Sequence, residues 1–148
     1  MHRLDSDQLR DFFHGHGLRR TRQRELIYAS LAASRAHPTA DELFRAVRAD
    51  EPGLSLATVY NTLDTLVEHG LARKIATGVG NGPCRYDADL AEHAHILLDD
   101  GAVMDIPEDL SHAFEDAIPA EVADALQRRL GIEITGVQVQ IAARRVAD

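Results

Sequence analysis

The chain has 148 residues, of which 45% are hydrophobic and 27% are charged, and its formal net charge at pH 7 is −8. This length suffices for one medium domain or two small ones. No apolar run is long enough to span a membrane and the N-terminus has no signal-peptide pattern, which favours a cytoplasmic protein. The single cysteine excludes an internal disulfide and a zinc site of four cysteines from one chain.

Charge is distributed unevenly along the chain. Residues 1–85 contain 12 Lys/Arg and 10 Asp/Glu, a net charge of +2, whereas residues 86–148 contain 4 and 14, a net charge of −10. The asymmetry suggests two parts with different partners, of which the first can approach phosphates.

The first 70 residues predict four helices. A short apolar face around Leu9 ends at Gly15, and each later helix begins at a residue that can cap it. The predicted caps are Thr21 for the second helix, Thr39 with Glu42 as a capping box for the third, and Ser55 for the fourth, which Gly70 closes.

The fourth helix, "SLATVYNTLDTLVEHG" (55–70), carries an unusual polar face. Its apolar residues share one face, and Thr58, Asn61 and Thr65 lie opposite, where Lys and Glu are usual. Asparagine can pair with adenine, and threonine can contact a thymine methyl or a phosphate. The alternative is a helix that happens to expose these residues. Tyr60 lies at the margin, where it belongs either to the core or to a DNA contact.

A two-stranded hairpin is predicted after this helix, with strands at 71–77 and 84–87. Helices followed by such a hairpin are typical of a winged-helix domain, which we place at residues 1–86. Arg73, Lys74 and Arg85 on the hairpin either meet the phosphate backbone or are simply solvated.

Residues 87–148 predict a small α/β domain. Strands are expected at 96–98 and 102–106, then a helix over 108–130 broken at Pro119, and a last strand with a bulge at Gly136. So small a sheet exposes an edge that pairing with a second copy would cover, so we infer a homodimer. The helix residues expected to face inward are Leu110, Phe114, Val122, Leu126 and Leu130.

A pair of histidines, His93 and His95, opens the first of these strands. Residues two apart on a strand share a face. Asp87 ends the hairpin and Asp105 ends the next strand, and if those strands are neighbours both can reach the same point. Imidazole and carboxylate ligands without sulfur suit Fe(II), Mn(II) or Zn(II). The alternative is a polar strand edge without metal. Taken alone, His37 is expected to be an exposed loop histidine.

In combination, these motifs resemble the ferric uptake regulator (Fur) family. The matching segments are "GLRRTRQR" (17–24), "HPTADELF" (37–44), "SLATVYNTLDTLVEHGLARKI" (55–75), "RYD" (85–87) and "HAH" with "GAVMD" (93–105). The resemblance implies a dimeric, metal-responsive winged-helix protein, usually a repressor, that binds a palindromic DNA operator. The metal ligands it implies are His37, Asp87, His93, His95 and Asp105. The implied DNA contacts are Arg19 in the minor groove and Tyr60 and Asn61 in the major groove, to which we add Arg20 and Thr58.

Within the family, the aspartates at 87 and 105 and "HPTAD" most resemble the peroxide-sensing branch. That resemblance implies oxidation of His37 or His93 at an Fe(II) site. The chain departs from the family in lacking paired Cys-x-x-Cys motifs, with Leu98 at the first such position. A second metal site is degraded: Ala94 and Val137 replace ligands, and Glu92 and His112 remain. The haem-sensing branch also lacks these cysteines and stays an alternative.

Two rival classes make different predictions. A non-haem iron enzyme would use His93, His95 and Asp105 as a facial triad with an open position for substrate. A metal-free winged-helix protein would use its second domain only to dimerise, and metal would not change its DNA binding.

Overall fold

The computed structural model describes residues 6–77, 83–90, 94–114 and 117–146. The chain divides into two compact units, Met1–Leu90 and Ala91–Asp148. No helix within the described segments has the length and apolar character needed to cross a membrane.

The first unit contains four helices, α1 (Ser6–Gly15), α2 (Arg22–Ala33), α3 (Ala40–Arg48) and α4 (Leu56–Glu68). Their apolar faces form one core that includes Phe13, Ile27, Leu43 and Leu63. Phe12 and Phe13 lie with their ring centroids 5.6 and 5.5 Å from that of Tyr28, which joins α1 to α2.

The predicted helix boundaries are confirmed by hydrogen bonds at the caps. Thr21 and Ser55 accept from backbone N–H groups of α2 and α4, and Thr39 forms a complete capping box with Glu42. At the end of α4, Gly70 adopts φ 69°, and the N–H of Leu71 donates to the Leu66 carbonyl at 2.8 Å. This 6→1 bond is the closure for which a glycine is favoured.

The predicted hairpin is present as β1 (Arg73–Ile75) and β2 (Arg85–Asp87), which pair antiparallel, with Arg73 opposite Asp87. The segment before α3 continues this small sheet. The N–H of Tyr86 donates to the Pro38 carbonyl at 3.0 Å, and Thr39 forms a bridge with Arg85. Four helices and a hairpin make this unit a winged helix, as predicted.

The second unit contains a three-stranded sheet in the order β4–β3–β5, formed by β3 (His95–Leu98), β4 (Val103–Asp105) and β5 (Gln140–Ala143). β3 pairs antiparallel with β4 and parallel with β5. In the sequence, β4 and β5 are separated by α5 (Glu108–Ser111), a 3-10 turn (His112–Phe114) and α6 (Ala120–Leu130). Pro119 precedes α6, so the predicted break is confirmed.

Two expectations for this unit were wrong. Residues 132–139 form no strand and therefore no bulge at Gly136. The Ile134 N–H donates to the Gln127 side chain at 3.0 Å, and the Val139 carbonyl accepts from the His95 N–H at 3.1 Å, where the stretch leads into β5. The residues expected to face inward are not buried in one chain. Leu110, Val122, Leu126 and Leu130 are 38–63% exposed, and Phe114 is half-buried.

Candidate metal centre and nucleic-acid interface

His37 lies just before Pro38 in the edge segment that pairs with β2, and it is buried. Its φ of 48° is the one positive value among the described non-glycine residues. Its backbone is held on two sides, because the Pro38 carbonyl accepts from Tyr86 and the His37 carbonyl accepts from the Arg85 Nη1 at 2.9 Å. The expectation of an exposed loop histidine was therefore wrong, since edge pairing buries it.

The backbone arrangement places the His37 imidazole beside Asp87, the last residue of β2. The His37 Nδ1 lies 3.5 Å from the Asp87 Oδ2, and both side chains are at least 94% buried. The other carboxylate oxygen of Asp87 accepts from the Asp89 N–H at 2.8 Å. One oxygen is thereby anchored to the backbone, and the other faces the imidazole.

Arg85 ties this pair to the start of α3. Besides donating to the His37 carbonyl, its Nη1 lies 3.3 Å from the Glu42 Oε2, which also accepts from the Thr39 N–H at 2.8 Å. The capping box of α3 and the loop that carries His37 therefore share one carboxylate. Sequence reasoning assigned Arg85 only to a phosphate contact or to solvent and missed this positioning contact.

A second histidine–carboxylate pair lies in the second unit. His95 and Asp105 stand directly opposite each other on β3 and β4, so their side chains share one face of the sheet. The His95 Nε2 lies 3.6 Å from the Asp105 Oδ1; the histidine side chain is 5% exposed and the aspartate side chain 47%. The prediction that these two ligands meet on neighbouring strands is confirmed.

The spacing within each pair suits two ligands of one ion. A hydrogen bond joins N and O at about 2.7–3.2 Å, shorter than both pairs. Ligands bound at about 2.1 Å stand roughly 3.0 Å apart at octahedral angles and about 3.4 Å at tetrahedral ones. The donors are imidazole nitrogen and carboxylate oxygen, which suits Fe(II), Mn(II) or Zn(II).

The remaining predicted ligand, His93, lies outside the described residues, as does Glu92 of the degraded second site. His112 lies exposed in the 3-10 turn, Ala94 is buried and Val137 is exposed.

The predicted DNA contacts fall on the exposed side of α4 and in the loop before α2. Tyr60 is 42% exposed and Asn61 is exposed, whereas Val59 and Leu63 on the opposite face are buried. The Thr58 hydroxyl bonds the Ser55 hydroxyl at 2.8 Å at the start of the helix. The helical face expected from the sequence is therefore the one presented to solvent.

The two loop arginines have different surroundings. Arg19 is exposed, and its carbonyl accepts from the Arg24 Nη1 at 2.7 Å. The guanidinium of Arg20 pairs with the Glu25 carboxylate. Arg19 is the better placed of the two to offer its charge to a partner.

A cavity of about 200 Å³ lies between the start of α2 and the outward face of α4. It is lined by Thr21, Gln23, Arg24, Thr58, Asn61, Thr62 and Thr65. The sequence pointed to the α4 residues but not to Gln23 or Arg24, because only the packing of the two helices brings these together.

Tyr86 lies on β2 between Arg85 and Asp87, and its side chain is buried in the core of the first unit. Burial, followed by the charges of Asp64, Cys84 and Tyr60, raises the pKa of Tyr86 to about 12. Its hydroxyl therefore stays protonated over the physiological range.

The chain has a winged-helix unit followed by a small α/β unit, and each unit holds one histidine–carboxylate pair. These features define the class as two-unit winged-helix proteins. The model of the ferric uptake regulator family matches residues 15–134. The chain belongs to that family, and its predicted α+β fold class is confirmed by the solved structures that share it.

Several named relatives are similar to the chain. The peroxide-responsive repressor PerR of Staphylococcus aureus (strain Mu50) is 36% identical over 90 residues, which make up 60% of this chain and 60% of PerR. The match thus spans less than two thirds of that relative's length. The Campylobacter jejuni peroxide stress regulator is 27% identical with a TM-score of 0.62, covering 97% of this chain and 98% of that chain. The Vibrio cholerae ferric uptake regulator has a TM-score of 0.67 at 18% identity, covering 93% and 99%, and supports the fold alone.

Proposed function

We propose that the chain is a metal-dependent, DNA-binding transcriptional repressor that responds to peroxide. The observation that carries the proposal is the presence of one histidine–carboxylate pair in each unit, His37 with Asp87 and His95 with Asp105. Each pair offers two ligands, fewer than the four of a closed metal site. A tightly held ion therefore needs ligands from both pairs, and His93 completes the set.

Metal binding of this kind would couple to DNA binding. An ion that takes ligands from both units favours the arrangement in which those ligands meet. If that arrangement spaces two recognition helices for one palindromic operator, metal and DNA strengthen each other's binding reciprocally. A coupling of about 1–3 kcal/mol changes each affinity by roughly 5- to 150-fold.

The proposed DNA contacts are on the winged-helix unit. Asn61 and Tyr60 on α4 enter the major groove, Arg19 enters the minor groove, and Arg20 and Thr58 contact phosphates. The exposure of the α4 polar face supports this assignment. The first unit has 12 basic and 12 acidic residues, and is thus neutral, so the second unit carries the net charge of −8. DNA must then approach the first unit locally, and binding weakens with salt.

The active form is proposed to be a homodimer formed through the second unit. Val122, Leu126 and Leu130 recur every four residues along α6 and are exposed in the single chain. An exposed apolar row of this kind is typical of an interaction surface.

The metal is proposed to be Fe(II) or Mn(II), with Zn(II) as a further candidate, at one site per chain. If Fe(II) is held by the proposed histidine and aspartate ligands, it would supply the electron-transfer chemistry that breaks the O–O bond of hydrogen peroxide. In the net reaction one hydroxyl group of the peroxide would replace the hydrogen on a carbon of the His37 or His93 ring, and that hydrogen would leave with the other hydroxyl group as water. The names of the relatives, a peroxide-responsive repressor and a peroxide stress regulator, support this response. The enzyme alternative finds no support, because the matched family and relatives are named as regulators.

Calorimetric titration of Mn(II) into chelator-stripped protein tests the metal site. We expect one tight site per chain in the wild type, lost in His37→Ala and in His95→Ala, because each removes a ligand from a different unit. His14→Ala, which removes an exposed histidine of α1, is the matched control and keeps the site. Loss in only one of the two ligand variants would contradict an ion shared between the pairs.

Peroxide treatment of the Fe(II)-loaded protein tests the signal. Mass spectrometry of the digested chain should find one added oxygen on the peptide containing His37 or His93, and none on Mn(II)-loaded protein. Unmodified peptides together with unchanged DNA binding would contradict a peroxide response while leaving the metal-dependent repressor intact.

A further inference from the structure

Every residue that lines the cavity between α2 and α4 has a side chain with hydrogen-bond donors. Its seven lining residues are four threonines, a glutamine, an asparagine and Arg24, all of which carry N–H or O–H donors. None of these seven is acidic, although the chain has 24 Asp and Glu residues against 16 Lys and Arg. A cavity of about 200 Å³ holds much more than one water, which needs about 15 Å³. Donors around a single positive charge suit an anionic group.

Arg24 also joins the two parts of the proposed DNA surface. Its Nη1 donates to the Arg19 carbonyl at 2.7 Å, and its side chain lines the cavity beside Asn61 of α4. A chain that puts Arg19 into a minor groove and Asn61 into the adjacent major groove must straddle the sugar–phosphate backbone that separates the grooves. Arg24 lies between those two residues, where a phosphate of that backbone would pass.

We propose that this cavity is a binding site for one phosphate of the DNA backbone, with Arg24 as its cationic ligand and Gln23 and Thr58 as further donors. The inference rests on the proposed function, and it adds a contact that sets the register of the recognition helix. Arginine, threonine and glutamine are among the side chains that most often contact phosphate oxygens, and such contacts fix orientation on the duplex.

The test measures binding of the Mn(II)-loaded full chain to a duplex obtained by in vitro selection with the wild type, by fluorescence anisotropy over a range of salt concentrations. Each lost phosphate contact lowers the slope of log K against log salt by about 0.9. We expect Arg24→Gln to lower the slope by that amount per bound chain and Arg24→Lys, which keeps the charge, to leave it near the wild-type value.

Arg22→Gln is the matched control. It removes the same charge two residues away, where the Arg22 Nε pairs with the Glu51 Oε2 at 2.8 Å, outside the cavity. Its slope should equal that of the wild type. Equal losses in Arg22→Gln and Arg24→Gln would overturn the proposal, because the effect would then belong to general charge.

Arg24 could also act indirectly, by holding the loop that carries Arg19. Changes in the DNA backbone distinguish this indirect action from a direct phosphate contact. Single phosphates of the duplex are replaced, one at a time, by neutral methylphosphonates. We expect replacement at one position to weaken binding of the wild type and of Arg19→Gln but not of Arg24→Gln. If no position distinguishes Arg24→Gln, the phosphate site is overturned. Failure of the Mn(II)-loaded wild type to bind any duplex would overturn the proposed function as well.

Discussion

His37 illustrates how one residue can combine a proposed ligand role with backbone strain. A non-glycine residue at positive φ costs on the order of 1–3 kcal/mol, and such residues persist where the surroundings fix them. Here the surroundings are the pairing of Pro38 with Tyr86 and the bond from Arg85 to the His37 carbonyl. The hydrogen bonds that hold this backbone conformation also direct the imidazole towards Asp87. The strained conformation is therefore the one that gives the proposed metal site its geometry.

A pair of substitutions measures this strain. His37→Gly and His37→Ala both remove the imidazole, but only glycine adopts φ 48° without cost. In urea titrations of the metal-free protein, we expect the free energy of unfolding of the glycine variant to be about 1 kcal/mol higher than that of the alanine variant. Equal stabilities, or a more stable alanine variant, would show that residue 37 is not held at positive φ in solution.

At the scale of elements, the burial of Tyr86 of β2 in the core makes a prediction about pH. The pKa of Tyr86 is raised to about 12, first by burial and then by the nearby Asp64, Cys84 and Tyr60. An unfolded chain releases this proton near its ordinary pKa of about 10. The stabilising contribution is therefore complete below pH 10 and is lost as pH rises towards 12, at about 1.4 kcal/mol per pH unit.

Tyr86→Phe should remove this dependence. Urea unfolding of the two proteins between pH 10 and pH 12 gives the difference, in which the other titrating groups cancel. We expect the wild type to lose stability relative to Tyr86→Phe by up to about 3 kcal/mol across this interval. Parallel stability curves would mean that Tyr86 ionises alike in the folded and unfolded chains.

Elements with local signals were predictable from the sequence, and those that need a distant partner were not. Caps and apolar periodicity place α2, α3 and α4, because both act within a few residues. The apolar residues of α6 were recognised from their periodicity. Periodicity does not tell whether the surface that packs against them belongs to the same chain or to a second copy. The alternating stretch at 132–139 was wrongly predicted as a strand because alternation does not show which groups its backbone bonds, and the Ile134 N–H donates to the Gln127 side chain.

The same distinction between local and distant partners applies to the residues of the candidate site. His95 and Asp105 were paired correctly because adjacent strands joined by a short turn fix their register. His37 was named as a ligand only through the family resemblance and was expected to be exposed when taken alone, because its partners Arg85 and Asp87 lie about 50 residues further along the chain. Arg24 was missed because a cavity between two helices has no signature in either helix alone.

At the scale of the whole molecule, the exposed row of α6 predicts how the chain associates. Leu126, at the middle of the row, is 38% exposed in the single chain. Burying the remaining 38% of this leucine contributes about 0.6–1.1 kcal/mol, and a symmetric dimer buries it twice. Leu126→Glu loses both contributions and adds two buried charges, so we expect the dimer to weaken by at least about 100-fold.

Sedimentation equilibrium checks the expectation, since the chain mass is 16.3 kDa and the dimer has twice that mass. Val146→Glu adds the same charge at a site in the second unit that is 92% exposed, and it should leave the dimer intact. Because a palindromic operator needs two linked winged helices, Leu126→Glu should also weaken binding to the full operator while binding to a single half-site is retained. A dimeric Leu126→Glu protein would show that α6 faces solvent in the assembly, and the sheet edges would then have to hold the two chains together.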